Sequence, residues 1–566
     1  MIRGIGIFLI VLLVTAVAFS PLIFSSVRLA QEAQTCQQKF EEVKTFFADS
    51  QSFITSDQWQ SWQSREQTCA TSFYTWDATY TAYLRYVPFL DDVMARVYPQ
   101  WRPLLHTART YFPLFSEFIQ EYPIIAGIDA ASDSGKTNEK RYILAFENNT
   151  ELRPTGGFLG SYAYVVFRNG KIAEFTVDDI YNPDGQLQGY VEPPAPIKNY
   201  LYQAGGWHLR DSNWNPNFPE AAQTMAWFFE RGGYQQIDGI GIMTLSTVQD
   251  ALKIVGDVYL PDYSQTISAD TLYAFVQSQT EQQFFPGASN KKDVLGALSR
   301  AVLRKLVDLS IEQRIQLIDI FFHRLKTKDI LFWAKDPQLQ QVIEKHGWDG
   351  GIRQQTCDTT VTSRCRADLI YIVEANVGIN KTNCCIDRTA HLDLWFNDDE
   401  TATSSVKLNY ENHNPVTPQP PKFYGGGYRN YLRLIKNPDA TLESVTMNGA
   451  LLSPKTIDVE SDPKLNIQSY GFISDVGGGD KGDVTVLFSH QKWLDYTSPQ
   501  SYELTILKQP GLETNEYVLT IHLPKHTLVS MGSIAGLTIS QSTSNTMELR
   551  GTIESDQKIS FMILPN

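Results

Sequence analysis

Residues 141–177 read RYILAFENNTELRPTGGFLGSYAYVVFRNGKIAEFTV, and this stretch decides the fold around it. Residues 141–146 are a short apolar run of strand character. Residues 162–167 continue as a strand, end at Asn169-Gly170, and return as 172–177. Asn-Gly between two such runs is the strongest short hairpin signal, because both residues tolerate the positive φ of a tight turn. Residues 182–219 then carry many Pro, Gly and Asn; loops of that length are uncommon unless they serve a site. A helix at 219–231, a strand at 237–243, a helix at 246–255 and Gly256-Asp257-Val258 follow. Strand and helix in alternation imply an α/β domain, placed at residues 139–290.

Upstream, residues 29–130 read as a helical, membrane-proximal stalk. Phe40, Val43 and Phe47 recur at three- and four-residue steps, as do Leu90, Val93/Met94 and Val97 after Pro88. A linker at 129–138 separates this stalk from the α/β domain. Residues 4–27 carry no charge and 5–24 are almost wholly apolar. About twenty such residues at 1.5 Å rise span a hydrocarbon core of roughly 30 Å. Residues 1–28 are therefore expected to form a transmembrane signal anchor. Arg3 on its flank keeps that end inside and leaves the bulk of the chain extracytoplasmic. The competing expectation is a cleaved signal peptide, since Ala16-Val17-Ala18 is an A-x-A site; either outcome exports the chain.

Downstream, residues 291–350 read as a helical connection, with Val302, Leu306, Leu309, Ile315, Ile318, Phe322 and Leu325 as core-facing stripes. From about Ala367 the period becomes two, with short strands separated by turn residues. That spacing argues for a β-sandwich at 366–510 and a smaller β unit at 511–566. The expected class is thus multidomain α+β: a transmembrane helix, a helical stalk, an α/β domain and a C-terminal β-sandwich.

A chain of 566 residues exceeds what one hydrophobic core supports, and its hydrophobic share of 42% suffices for several. The formal charge of −14 and the lack of any Lys/Arg run argue against a nucleic-acid partner. Cys36, Cys69, Cys357, Cys365, Cys384 and Cys385 form two groups, as expected of disulfides in an exported chain. Cys36 with Cys69 would staple the N-terminal helices. Adjacent Cys384 and Cys385 are expected on opposite faces of a strand, each with a separate partner.

Asn148-Asn149-Thr150-Glu151-Leu152-Arg153-Pro154-Thr155-Gly156-Gly157-Phe158-Leu159-Gly160-Ser161-Tyr162 resembles the signature of a bacterial family known as domain of unknown function 4012. Three further segments match it: LRDSNWNPNFP at 209–219 followed by IDGI at 237–240, NVGINKT at 376–382, and YRNYLR at 428–433. The order of elements also resembles the LytR-CpsA-Psr phosphotransferases, which hang from one N-terminal helix and transfer glycopolymer from a polyprenyl pyrophosphate to the wall. Counterparts would be Arg153, Val177-Asp178-Asp179, and Ile237-Asp238-Gly239-Ile240 with Val255-Gly256-Asp257-Val258. The chain departs from that pattern, because Pro154-Thr155 replaces an Asp and no arginine stands beside Asp178.

Arg153 ahead of Gly156-Gly157 suits phosphate binding, since glycines admit backbone N–H groups and a guanidinium forks onto oxygens. The alternative is a structural arginine paired with Glu147 or Glu151. Arg210 would be a second phosphate ligand, with Asn148, Thr155, Asp178, Asp211 and Asn213 as polar site candidates. Asp178, Asp179 and Asp211 are candidate ligands for Mg²⁺, which favours oxygen and bridges phosphates. Ser161 lacks a nucleophile elbow, and no H-E-x-x-H or P-loop motif occurs. Residues 475–483 suit a hairpin turn better than a Ca²⁺ loop. Two functions stand open: an envelope enzyme handling a lipid-pyrophosphate-linked glycopolymer, or a non-catalytic envelope scaffold binding glycan or protein.

Overall fold

The computed structural model describes residues 56–565, except 86, 98, 100, 129–137, 202–204, 282–289, 358–363, 419–423, 492–497, 514–515, 525–526, 532–535 and 544, together with 22, 25, 26 and 28. The apolar segment 1–28 lies outside these residues but for those four positions, as do Cys36, Phe40, Val43, Phe47 and residues 129–137 of the linker. Among the described residues no helix is long and apolar enough to cross a membrane. The chain divides into two compact units.

The first unit comprises residues 1–141 and 165–175. Its described helices are α1 (Ser56–Leu84), α2 (Leu90–Val97) and α3 (Trp101–Ala126). Aromatic side chains hold them. Trp59 stacks on Tyr122 with centroids 4.6 Å apart, and Trp76 on Tyr80 at 5.1 Å. Tyr122 donates to the Gly170 carbonyl at 2.9 Å. Cys69 is disulfide-bonded. The stripe at Leu90, Val93 and Val97 forms its helix, yet no side chain of α2 is buried.

The second unit comprises residues 142–164 and 176–566. Its first part holds β1 (Glu139–Asn148) from Tyr142 on, β2 (Phe158–Arg168) as far as Tyr164, β3 (Lys171–Asp179) from Thr176 on, α4 (Phe218–Arg231), β4 (Gly239–Thr244), α5 (Leu245–Val255), β5 (Val258–Leu260), β6 (Gln265–Ile267), α6 (Ala269–Glu281), α7 (Asn290–Val307), α8 (Ile311–Lys326), β7 (Ile330–Ala334) and α9 (Pro337–Lys345). One sheet runs β3-β2-β1-β4-β7. The β2–β3 turn places Asn169 at φ 48° and Gly170 at φ 84°, the geometry Asn-Gly favours. β1 and β4 are parallel, with Glu147 opposite Thr244, while β7 is antiparallel to β4. The segment expected to be wholly helical, 291–350, thus supplies an edge strand. Its five-residue run Ile-Leu-Phe-Trp-Ala is too short for periodicity to separate strand from helix.

The C-terminal part has two sheets, built from β8 (Cys365–Asn376), β9 (Ile386–Phe396), β10 (Ala402–Asn412), β11 (Tyr428–Lys436), β12 (Thr441–Met447), β13 (Ala450–Leu451), β14 (Asp458–Asp462), β15 (Ile467–Val476), β16 (Lys481–His490), β17 (Gln500–Leu507), β18 (Glu516–His522), β19 (Thr527–Met531), β20 (Leu537–Ser542), β21 (Thr546–Thr552) and β22 (Gln557–Pro565). Their orders are β13-β12-β16-β10-β9-β18-β21-β20 and β14-β15-β11-β8-β17-β22-β19. Both line one core that includes Leu392, Leu432, Leu504, Leu519, Leu549 and Phe561. Residues 511–566 are therefore no separate unit: β18 lies parallel to β9 and β22 antiparallel to β17, inside both sheets. Residues 475–483 hold the end of β15, a turn at 477–480 with Gly479 at φ 83°, and the start of β16. Lys436 and Asp368, both buried, pair at 2.9 Å within the core, where Tyr502 donates to the same carboxylate at 2.8 Å.

Cys357 bonds Cys365. Cys384 bonds Cys385, which corrects the expectation of separate partners. The pair sits in a helical turn, Asn383–Cys385, before β9 begins, so the alternation of a strand never acts on it.

Candidate functional site

The loop after β1 is buried against the sandwich. Thr150 and Leu152 carbonyls accept from the Asn383 and Asn376 amides at 3.0 and 2.9 Å. Arg153 is 1% exposed. Its Nη1 donates to the Asn376 carbonyl at 2.6 Å, and Nη2 to Glu151 at 3.1 Å and Asp211 at 3.5 Å. The guanidinium also lies 5.7 Å from the Phe158 ring centroid. Gln509 Nε2 donates to the Arg153 carbonyl at 3.2 Å and the Glu374 carbonyl at 2.7 Å. The first and third motif segments, 148–162 and 376–382, are thus two sides of one seam.

The glycines serve that seam. Gly156, at φ +144°, approaches Gly511 so closely that a Cβ on Gly511 would lie 1.9 Å from the Gly156 carbonyl oxygen. A Cβ on Gly157 would lie 2.4 Å from the Asn148 carbonyl. The small residues let backbone meet backbone, where phosphate was expected. Thr155 and Asn213 donate to Glu147 Oε1 at 2.7 and 3.0 Å. Burial pushes the Glu147 carboxyl up to about 7, against the pull of Thr155, Asn213, the Gly157 amide and Arg153. Asn148 Oδ1 caps its own turn by accepting from Thr150 N and Oγ1 at 3.1 and 2.8 Å.

Arg153 and Arg210 do converge. Asp211, fully buried, stands between them, 3.5 Å from Arg153 and 3.8 Å from Arg210. Arg210 also pairs with Asp184, and its guanidinium lies 5.3 Å from the Tyr181 ring centroid. Burial opposes ionisation of Asp184, but His208, Arg210 and the Leu209 amide hold it below the usual carboxylate range. The result is a chain of alternating charges in which every guanidinium meets a carboxylate. Asp178 Oδ1 accepts from the Asp179 amide at 2.7 Å and Asn182 Nδ2 at 2.5 Å, and Asp179 accepts from the Tyr181 amide at 3.1 Å. Asp178, Asp179 and Asp211 do not gather as metal ligands. Among the described residues the one group of three donors within 4.8 Å is Cys357, Cys365 and Glu503, whose sulfurs are joined to each other.

An open groove lies beside this network. Its inner cavity, about 300 Å³, is lined by Trp207, Ser212, Trp214, Asn215, Asn217 and Glu220 from the loop and start of α4, and by Arg433, Ile435, Glu460 and Asp462 from the sandwich. A neighbouring hollow of about 390 Å³ shares Trp207, Glu220 and Thr224 and adds Gln223, Trp227 and Phe228. Glu220 is held open like a fork: Asn215 donates to Oε2 at 2.6 Å and Asn217 to Oε1 at 3.0 Å. Trp227 is 40% exposed and packs edge-on against Phe228, which in turn holds Trp207 at 5.5 Å. Arg433 sits 5.1 Å from the Trp214 centroid. The second and fourth motif segments, 209–219 and 428–433, meet here.

Residues 137–280 match the family model described as Protein of unknown function (DUF4012). The DUF4012 match covers β1 through α6 and so contains the motif loop, the charge network and the loop side of the groove. No curated protein matches the sequence. Among solved structures, a Legionella pneumophila protein named for nutrient binding is 9% identical over 31% of this chain and 66% of its own, with a TM-score of 0.22. An M1 zinc metallopeptidase from Deinococcus radiodurans is 8% identical over 32% of this chain and 42% of its own, with a TM-score of 0.18.

The groove was not among the residues expected to form a site. Trp207, Trp214 and Trp227 within twenty-one residues of a Pro- and Asn-rich stretch were the available signal. Arg433 and Glu460 come from sandwich strands more than two hundred positions away, and only the fold brings them there.

Proposed function

We propose that the protein is an extracytoplasmic envelope component, anchored by residues 1–28, that binds a saccharide in the groove beside α4 without acting on it chemically. The observation that carries this proposal is the pairing of indoles with preset amide and carboxylate groups in two adjoining hollows, Trp207 and Trp214 lining the inner one and Trp207 and Trp227 the other, with Glu220 in both. Sugar rings present apolar C–H faces and a rim of hydroxyls that both donate and accept. Aromatic rings suit the first, and the Asn215–Glu220–Asn217 arrangement suits the second. The uncharged run at 4–27 and the disulfide-bonded cysteines support export.

A second function has its own supporting observation, the convergence of Arg153 and Arg210 on Asp211. It would make the chain handle a lipid-pyrophosphate-linked glycopolymer. Both guanidiniums already meet carboxylates, which disfavours it. Calorimetric titration of the full chain with a panel of envelope oligosaccharides and with a polyprenyl pyrophosphate separates the two. Oligosaccharide binding that Trp227→Ala weakens supports the groove. Binding of the polyprenyl pyrophosphate that Trp227→Ala leaves intact and Arg210→Gln abolishes would replace it with the second function.

A further inference from the structure

Buried cations elsewhere in the second unit have carboxylate partners. Arg153 pairs with Glu151 and Asp211, Lys328 with Asp556, Arg388 with Glu374, Lys436 with Asp368, and Lys508 with Asp329. Arg433 differs. It is 4% exposed, and among the described residues no carboxylate lies within ion-pair distance of it. Its Nη2 donates to the Trp214 carbonyl at 2.9 Å, while Nε is buried without a hydrogen-bond partner. The rings of Trp214 and Tyr431, at 5.1 and 5.7 Å, fix the plane of the guanidinium. Burial lowers its affinity for the proton, yet an arginine stays charged in any protein environment. Glu460 acts on it electrostatically from beyond contact distance, so a desolvated, rigidly held cation with no carboxylate in contact forms the wall of a cavity, and an anion entering the cavity completes that arrangement.

We propose that Arg433 receives the carboxylate of an acidic saccharide, a uronic-acid unit, in the inner cavity; this rests on the saccharide-binding function proposed above. The planar guanidinium matches a planar carboxylate, and Trp207 lines the same cavity to take a sugar face. Glu460, exposed, and Asp462 line the same cavity and act against a second negative charge. A polymer that alternates acidic and neutral sugars therefore fits, and one with a carboxylate on every unit does not.

The test compares a hyaluronan oligosaccharide with its carboxyl-reduced form by calorimetric titration of the full chain, wild type and Arg433→Gln. Wild type is expected to bind the acidic form at least about tenfold more tightly, the scale of one charge-assisted contact. Arg433→Gln is expected to bind both forms equally. Equal binding of both forms by wild type would overturn the assignment of Arg433 while leaving the groove as a saccharide site. Binding of neither form would overturn both. The wild-type comparison stands alone if the variant does not fold, and inorganic phosphate, run as a competitor, is expected not to displace the acidic form. Displacement by phosphate would reject a carboxylate-specific subsite.

Discussion

Two seams join the α/β part to the sandwich, and they use their arginines in opposite ways. In the first, 148–162 against 376–382, Arg153 is neutralised by Glu151 and Asp211 and capped by backbone carbonyls. In the second, 209–219 against 428–433, Arg433 borders a cavity with no such partner among the described residues. The first has the composition of a binding loop and the geometry of a staple. The second has the composition of a long irregular loop with scattered tryptophans and the geometry of a site. Glycines and an arginine in a polar loop do not specify which outcome follows; whether the fold supplies a counter-charge does.

Removing the two arginines should give the sharpest contrast. Arg153→Met leaves Asp211 and Glu151 buried against one another, and a loss of about 3–5 kcal/mol in urea unfolding is expected. Arg433→Met removes a buried charge with no carboxylate in contact and should change unliganded stability by less than about 1 kcal/mol. Equal losses would erase the distinction between the seams.

Glu147 gives the next effect. Its carboxyl sits at about 7 in the folded chain against an ordinary value of 4.5. The folded state therefore holds the proton more tightly, so this group's contribution is intact below pH 4.5 and is lost as pH rises towards 7. The gap corresponds to a decline of about 3 kcal/mol. Glu147→Gln should flatten that decline in unfolding measured across the same range. A wild-type profile already flat there would show that Glu147 is ionised throughout.

Trp227→Ala addresses the second seam alone. Because the indole is 40% exposed, stability should fall by under about 1 kcal/mol, while saccharide affinity drops about tenfold by titration. A further effect concerns the cysteines, one pair of which lies beside the first seam. Joining neighbours one position apart restricts the unfolded chain little, so replacing Cys384 and Cys385 by Ser should cost about 1 kcal/mol. Losing Cys357–Cys365, eight positions apart, should cost about 2.5 kcal/mol by the same loop-closure argument.

The elements with strong local signals were legible. Asn169-Gly170 announced its hairpin, and the helix over 219–231 followed from its apolar spacing. The edge strand at Ile330–Ala334 was not, because five apolar residues between helices carry no period. Nor was the integration of 511–566 into both sheets, which depends on β18 finding β9 across more than a hundred residues. At the site, the sequence named Arg153, Arg210 and Asp211 as neighbours without revealing that they neutralise each other. Arg433 was visible within YRNYLR, but its lack of a contacting carboxylate is a property of the folded surroundings.

Hydrogen–deuterium exchange of the full chain in detergent, with and without saturating hyaluronan oligosaccharide, tests the central claim most directly. The account predicts slower exchange across 207–228 and 428–435, with 150–158 unchanged because that seam is already closed. Protection confined to 150–158 and 209–211, or no protection of 207–228, would contradict it.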